Sequence, residues 1–167
     1  DYPHSLFFIV LGLGPARDLL ATSSRPRTAG PSASLTWDDS GGGMGPIAGW
    51  GGVETLPSDG TRYAWAIDRN AELLVDIAGG VPLRLEFECW PLAWKNSPKQ
   101  HVDVEVNGSR VAHLELERGA HEYRVDVPAS VTGPGRNHVR LTFGFAQQPE
   151  SVRPGSSDQR SLAAAFT

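Results

Sequence analysis

The side chains that could carry chemistry are spread thinly along the chain. Four of the five histidines, His101, His113, His121 and His138, fall on separate predicted strands without the closely spaced ligand pairs of zinc sites. Cys89 is the only cysteine, which excludes an intramolecular disulfide. Neither a Gly-x-Ser-x-Gly turn nor a cysteine with a histidine partner is visible. No catalytic residue and no metal ligand is therefore predicted.

Carboxylates give two weaker leads. Glu86 and Glu88, with Glu54 elsewhere, could serve glycoside hydrolysis, but Glu86 and Glu88 are more simply the solvated side of an alternating strand. Loop oxygens of Asp158, or of Asp38 and Asp39, could hold a structural calcium ion, although no Asp-x-Asp-x-Asp spacing appears. We expect no cofactor, with structural calcium left open, and no enzyme.

Aromatic side chains are the stronger lead, because the flat C–H face of a sugar ring stacks on tryptophan or tyrosine. Trp50, Trp90 and Trp94 fall in predicted loops or at strand ends, and Lys95 follows directly after Trp94. These residues could form a binding rim or could pack against the sheet edge. Tyr63 and Trp65 share one face of a strand, so they could equally belong to the core.

The elements that must position these residues are strands. From residue 62 onward apolar and polar residues alternate, as in strands with one buried face. The clearest run is residues 82–90, in which Leu83, Leu85, Phe87 and Cys89 face inward. About nine strands are predicted, at residues 35–37, 63–67, 73–77, 82–90, 102–106, 112–116, 123–127, 139–145 and 162–166. The high content of glycine (19) and proline (13) suits such short strands and disfavours a helical bundle.

The hairpin at Asn107-Gly108 tests this interpretation. A simple two-residue loop would set Val104 against Val111 and turn the following apolar residues to the wrong face. A three-residue loop or a bulge instead pairs Val104 with Ala112 and Val102 with Leu114. The outer face then holds Asp103 opposite His113 and His101 opposite Glu115, pairs that contribute about 0.2 to 1 kcal/mol each.

Length and composition limit the number of domains and the possible partners. With 167 residues, the chain has room for one domain, predicted at residues 33–167 after an apolar segment and linker at residues 1–32. The apolar run at residues 6–14 is too short to span a bilayer, which takes about 20 residues, and could be a signal or membrane remnant or part of the fold. The net charge of −4, without clustered lysine or arginine, makes nucleic acid an unexpected partner.

Several short segments together resemble a bacterial family of jelly-roll accessory modules that are attached to membrane glycosyltransferases and sulfatase-type hydrolases. The segments are Gly49-Trp50-Gly51 with Glu54, Arg62-Tyr63-Ala64-Trp65, Ala71-Glu72-Leu73, Val106-Asn107-Gly108, Glu122-Tyr123, Val127-Pro128, Gly135-Arg136-Asn137 and 158–163. The resemblance covers about residues 47–166 and departs from the family where Ala163-Ala164-Ala165 replaces an expected Gly-Val pair. It implies that Glu54, Trp65, Asp158 and Arg160 are the characteristic positions, whether in binding or in structure.

The expected fold is thus all-β, an antiparallel β-sandwich of the jelly-roll, galactose-binding-like type with a loop-rich N-terminal extension. The expected function is non-catalytic binding of oligo- or polysaccharide outside the cytoplasm, in the periplasm or after secretion, beside a catalytic domain or membrane subunit. The candidate binding residues are Trp50, Glu54, Trp90, Trp94, Lys95 and Arg160. A structural or protein-docking module without a sugar ligand is the alternative, and a polysaccharide-active enzyme is the third.

Overall fold

The computed structural model describes residues 44–77 and 82–167. Within these ranges, ten antiparallel strands form two sheets of five. The strands are β1 (Met44–Ala48), β2 (Trp50–Thr55), β3 (Arg62–Ile67), β4 (Asn70–Ile77), β5 (Leu83–Pro91), β6 (Gln100–Val106), β7 (Ser109–Leu116), β8 (His121–Val127), β9 (Gly135–Phe143) and β10 (Leu162–Phe166). One helical turn, α1 (Pro149–Val152), and a 3-10 turn, Ala129–Val131, lie in connections.

The strand order is that of a jelly roll. Sheet one has the order β1-β4-β9-β6-β7 and sheet two the order β2-β3-β10-β5-β8. The eight strands from β3 to β10 form the double Greek key of a jelly roll, four in each sheet. Strands β1 and β2 add one edge strand to each sheet. The predicted fold class is confirmed.

The core lies between the sheets and follows the alternation of the sequence. In β5 every second residue points inward and is buried, with exposures of 0–6%: Leu83, Leu85, Phe87 and Cys89. The inward residues of β4, β6 and β9 join them in one cluster. Burial also raises the pKa of the Cys89 thiol well above its ordinary value. Cys89 is therefore an inert core residue, as expected.

The β6–β7 hairpin confirms the predicted register. Val102 pairs with Leu114 and Val104 with Ala112, and the register shifts by one residue between Val104 and Glu105. Asn107 and Gly108 both have positive φ, 50° and 80°, as a two-residue type I′ turn requires. A two-residue turn followed by a bulge is therefore the solution that keeps the apolar residues on one face.

The N-terminal part differs from the prediction. None of the nine predicted strands covers residues 39–52, which the many glycines there predict to be a loop, but β1 and the first half of β2 lie in this range. Gly49, at φ 76°, turns the chain from sheet one to sheet two, and a side chain there would collide with the backbone oxygen of Asn70. The predicted strand at residues 35–37, the run at residues 6–14 and Asp38-Asp39 lie outside the described residues. In the part of the chain that is described, no helix has the length and apolar character needed to cross a membrane.

Candidate functional site

Strand β3 carries two different faces. Ala64 and Ala66 point to the main core and are fully buried. Tyr63, Trp65 and Ile67 point to the opposite, outer face of sheet two, as β-strand alternation requires. They pack there in a second apolar cluster with Trp90, Leu92, Leu162 and Ala165. Sheet two is therefore apolar on both faces at this end.

Three aromatic rings meet in this second cluster. The ring centroids of Tyr63 and Trp90 are 5.3 Å apart, and those of Trp65 and Trp90 are 6.4 Å apart at an interplanar angle of 78°. Ala165 of β10 pairs with Trp65 on one side and Trp90 on the other, so a small side chain lies between the two indoles. Trp65 is 8% exposed, whereas Tyr63 and Trp90 are half-buried and reach the surface.

A chain of polar contacts borders these rings. The Tyr63 hydroxyl donates to Glu54 Oε2 at 2.9 Å, and Arg160 Nη1 lies 2.6 Å from Glu54 Oε1. Arg160 also donates to both carboxylate oxygens of Asp158, at 2.6 Å from Nη2 and 3.0 Å from Nε. Glu54 and Arg160 are 106 positions apart in sequence. The order β2-β3-β10 brings them together on one face.

These contacts set the charge states of the group. The guanidinium of Arg160 lowers the pKa of the Asp158 carboxyl, chiefly through its hydrogen bond. The pKa of the Tyr63 hydroxyl is raised, first by burial and then by its hydrogen bond to Glu54. Tyr63 is therefore neutral and Asp158 ionised at neutral pH. We call Glu54, Tyr63, Trp65, Trp90, Asp158 and Arg160 the outer aromatic site.

The sequence-based candidates are divided among three places. Glu54, Trp90 and Arg160 meet in the outer aromatic site. Trp50 instead packs against the main core, where its indole N–H donates to the Glu72 carbonyl at 2.9 Å and its ring meets Phe166 edge-on. The structure does not bring Trp50 to the other candidates.

Trp94 and Lys95 lie in the β5–β6 connection. The Trp94 ring meets Phe145 edge-on, with centroids 5.6 Å apart, and Lys95 is exposed. Ser97 N donates to the Trp94 carbonyl, closing a turn in which Asn96 has φ 68°. A cleft of about 330 Å³ lies beside this turn, lined by Pro91, Ala93, Ser97, Lys99, Glu117 and Arg118 among others. Trp94 is thus part of a separate surface at the end of the sandwich.

The candidate binding residues omitted Tyr63, Trp65 and Asp158, and of these three only Tyr63 was also missing from the characteristic positions that the resemblance implies. The signal was present in the pattern Tyr63-Ala64-Trp65-Ala66, where the large residues alternate with alanine. The inward positions of β3 are the small ones, so the aromatic residues must lie on the outer face. Alternation in the sequence alone could not show whether the aromatic residues or the alanines of β3 face the main core.

Asp158, one candidate for calcium, holds Arg160 with both of its carboxylate oxygens. Within residues 44–77 and 82–167, no group of three or more His, Cys, Asp or Glu side chains has an arrangement suited to a metal ion.

Comparisons with known proteins give structural neighbours but no sequence relatives. No protein-family model matches the chain, and no curated protein matches it. The CBM36-1 domain of a multidomain xylanase from the hindgut metagenome of Trinervitermes trinervoides matches with a TM-score of 0.38 and 12% identity, over 74% of this chain and 90% of that one. A family 35 carbohydrate binding module from Clostridium thermocellum matches at 0.36 and 12%, over 74% and 92%. An exo-beta-1,3-galactanase from Phanerochaete chrysosporium matches at 0.36 and 14%, over 74% of this chain but 26% of its own. The binding and catalytic roles in these names belong to those proteins.

Proposed function

We propose that this protein is a non-catalytic carbohydrate-binding module and that the outer aromatic site holds the sugar. The observation that carries the proposal is the placement of two half-buried rings, Tyr63 and Trp90, beside the fixed polar chain of Glu54, Arg160 and Asp158. The aromatic residues supply a surface for the C–H face of a sugar, and the polar groups supply partners for its hydroxyls.

The site is organised before a ligand arrives. Trp65, almost fully buried, supports Trp90 from one side, and the Glu54 carboxylate is held by both Tyr63 and Arg160. Side chains fixed in this way lose little conformational entropy on binding. The ligand is a neutral glycan, because Arg160 already pairs with two carboxylates and the three charges sum to −1.

The charge states of the site support binding rather than hydrolysis. A glycosidase needs one carboxyl group whose pKa is raised, so that it can donate a proton to the leaving group. The pKa of Asp158 is shifted in the opposite direction by Arg160. Both carboxylates are engaged by the same guanidinium, and this arrangement leaves neither as a general acid.

The proposal includes a setting for the module. By the resemblance of its sequence, the domain is an extracytoplasmic appendage of a larger carbohydrate-active protein, such as a membrane glycosyltransferase or a sulfatase-type hydrolase. In that role it holds the partner domain close to a polysaccharide and raises the local concentration of the substrate.

Affinity gel electrophoresis against a panel of neutral polysaccharides, with a glycan array for short oligosaccharides, tests the proposal. We expect at least one neutral glycan to retard the wild-type protein, and Trp90→Ala to abolish the retardation. Trp94→Ala is the matched control, because it removes the same side chain from the separate surface beside Phe145. Tyr63→Phe keeps the ring and removes only the hydroxyl, so it should weaken retention without abolishing it.

If no glycan retards the wild-type protein, the docking alternative replaces the binding function. If Trp90→Ala binds as well as the wild type while Trp94→Ala does not, the sugar lies on the turn at the end of the sandwich. Circular dichroism and thermal melting of each variant separate a lost contact from a lost fold.

A further inference from the structure

Two histidines lie close together on the outer face of sheet one, away from the outer aromatic site. The register of β6 and β7 places His101 opposite Glu115 and Asp103 opposite His113. His101 and His113 are therefore diagonal neighbours on one face, and their ring centroids are 5.0 Å apart at an interplanar angle of 38°. The sequence separates them by 12 positions and a turn, which hides the pair from any search for short spacings.

The separation of the rings suits a shared metal ion. Two imidazoles bound to one tetrahedral zinc ion, with Zn–N bonds of about 2.0–2.1 Å, have ring centroids about 5 Å apart. The observed centroid separation of 5.0 Å matches this value. Imidazole nitrogen is a good ligand for zinc, copper and nickel.

Asp103 orients one of the two rings. Its Oδ1 atom lies 2.6 Å from His113 Nδ1 and 2.8 Å from Arg110 Nη2. A carboxylate on Nδ1 fixes the ring and the tautomer, and it leaves Nε2 with its lone pair for a metal ion. This is the arrangement of a metal-binding histidine with its supporting carboxylate.

The second ring is positioned by the backbone. His101 lies against Gly144, where any added Cβ atom would overlap its imidazole. On the other side, Glu115 is the register partner of His101 and pairs with Lys99 at 2.6 Å. The charged groups around the pair are thus Asp103, Glu115, Lys99 and Arg110, and Lys99 also pairs with Glu117 at 3.5 Å.

We propose that His101 and His113 bind a divalent transition-metal ion, with Zn²⁺ as the probe, and that Asp103 is a positioning residue. The described residues offer no third His, Cys, Asp or Glu in a suitable arrangement, so the ion takes two protein ligands and completes its shell with water. The ion would join β6 to the edge strand β7 and so hold the hairpin in register. The site is independent of the sugar-binding proposal, because it lies on the other sheet.

Isothermal titration of the tag-free full chain with Zn²⁺ at pH 7 tests this proposal. We expect one ion per chain, and loss of that binding in both His101→Ala and His113→Ala. His121→Ala is the matched control, because His121 lies on β8 in sheet two and contacts the Arg118 carbonyl. Asp103→Asn should weaken binding about 10- to 100-fold, since it alters a residue that supports a ligand.

A second measurement separates ligand loss from structural damage. Gly144→Ala keeps both histidines in the sequence but displaces the His101 ring, because the added Cβ would overlap it. We expect weaker Zn²⁺ binding and little change in the melting temperature without metal. Zn²⁺ should raise the melting temperature of the wild type and His121→Ala, but not of His101→Ala. The proposal is overturned if the wild type binds no Zn²⁺, or if the double variant of His101 and His113 binds as much as the wild type.

Discussion

The two outer faces of the sandwich carry side chains of opposite character, polar on sheet one and partly aromatic on sheet two. On sheet one, the outward side chains form polar contacts across neighbouring strands, such as the hydrogen bond between Glu72 and His138 at 2.9 Å and the ion pair of Glu72 with Arg140 at 3.1 Å. On sheet two, the outward residues of β3 and β5 include Trp65 and Trp90, which pack against each other. One face is solvated and the other begins to form a second small core.

The difference shows where function can reside in a sandwich. Inward positions of both sheets are mostly apolar, with Gln100 and Asn137 as buried polar exceptions, because these positions share one packed core. Outward positions have no such restriction, and a polar residue there is sufficient for solubility. Large aromatic side chains on an outer face therefore need a reason, which we propose to be the sugar. The β5–β8 part of sheet two returns to ion pairs, Arg84 with Asp126 and Glu86 with Arg124.

The largest expected effect tests whether the outer cluster of sheet two is a true core. Trp65→Ala should lower the free energy of unfolding by about 3–5 kcal/mol, because the side chain is almost fully buried on that face. Thr142→Ala, at an outward position of β9 in sheet one, should change it by less than about 0.5 kcal/mol. Urea denaturation measures both, and equal losses would remove the distinction between the faces.

A smaller effect is expected for the coupling energy of an ion pair, and one pair from each face can be compared. The Arg160–Glu54 pair has a 2.6 Å contact and the Arg140–Glu105 pair a 3.8 Å contact, with similar arginine exposures of 42% and 44%. Double-mutant cycles with glutamine at each position should give a coupling energy of about 1 kcal/mol on sheet two and below about 0.5 kcal/mol on sheet one. A stronger coupling for the Arg140–Glu105 pair would contradict the expectation that the shorter contact gives the stronger interaction.

The smallest expected effect is the loss, in acid, of the stability that Glu72 contributes. In the folded protein the hydrogen bond from His138, followed by Arg140, lowers the pKa of Glu72 below its ordinary value of 4.5. Its contribution to stability is therefore complete above about pH 4.5 and is lost as the pH falls through the lower folded pKa. Glu72→Gln should cost up to about 1 kcal/mol at pH 7 and almost nothing in strong acid.

The same acid titration distinguishes the two faces. Trp65→Ala removes no titratable group, so the loss of unfolding free energy that it causes should be nearly the same at pH 7 and at pH 3. Urea denaturation at the two pH values measures this loss. If the cost of Glu72→Gln did not shrink in acid, the contribution of this residue would be packing rather than charge.

Much of the fold could be predicted from the sequence because alternation is a local property. Leu83, Leu85, Phe87 and Cys89 were assigned inward from their spacing alone, and they are buried. The β6–β7 register followed from the need to keep apolar residues on one face. Strands β1 and β2 were missed because glycine weakens the local strand pattern, whereas pairing with β4 and β3 supplies the missing stabilisation.

The candidate site was predictable only in part. The aromatic residues and the resemblance pointed to Glu54, Trp90 and Arg160, which do meet, but also to Trp50, whose indole is held by the Glu72 carbonyl beside the main core. A tryptophan at a strand end gives no local sign of which neighbour will cover it. That depends on strands that are distant in sequence.

The sequence by itself determined which residues alternate, which hairpin register is possible and which residues must be buried together, since strand geometry has a period of two and apolar surface avoids water. The tertiary structure decided which outward residues meet. Glu54 reaches Arg160 because β2, β3 and β10 are neighbours in one sheet. The diagonal of His101 and His113, by contrast, follows from the hairpin register that the sequence predicts. Pairing between strands that are distant in sequence is a long-range choice, and the outer aromatic site depends on it.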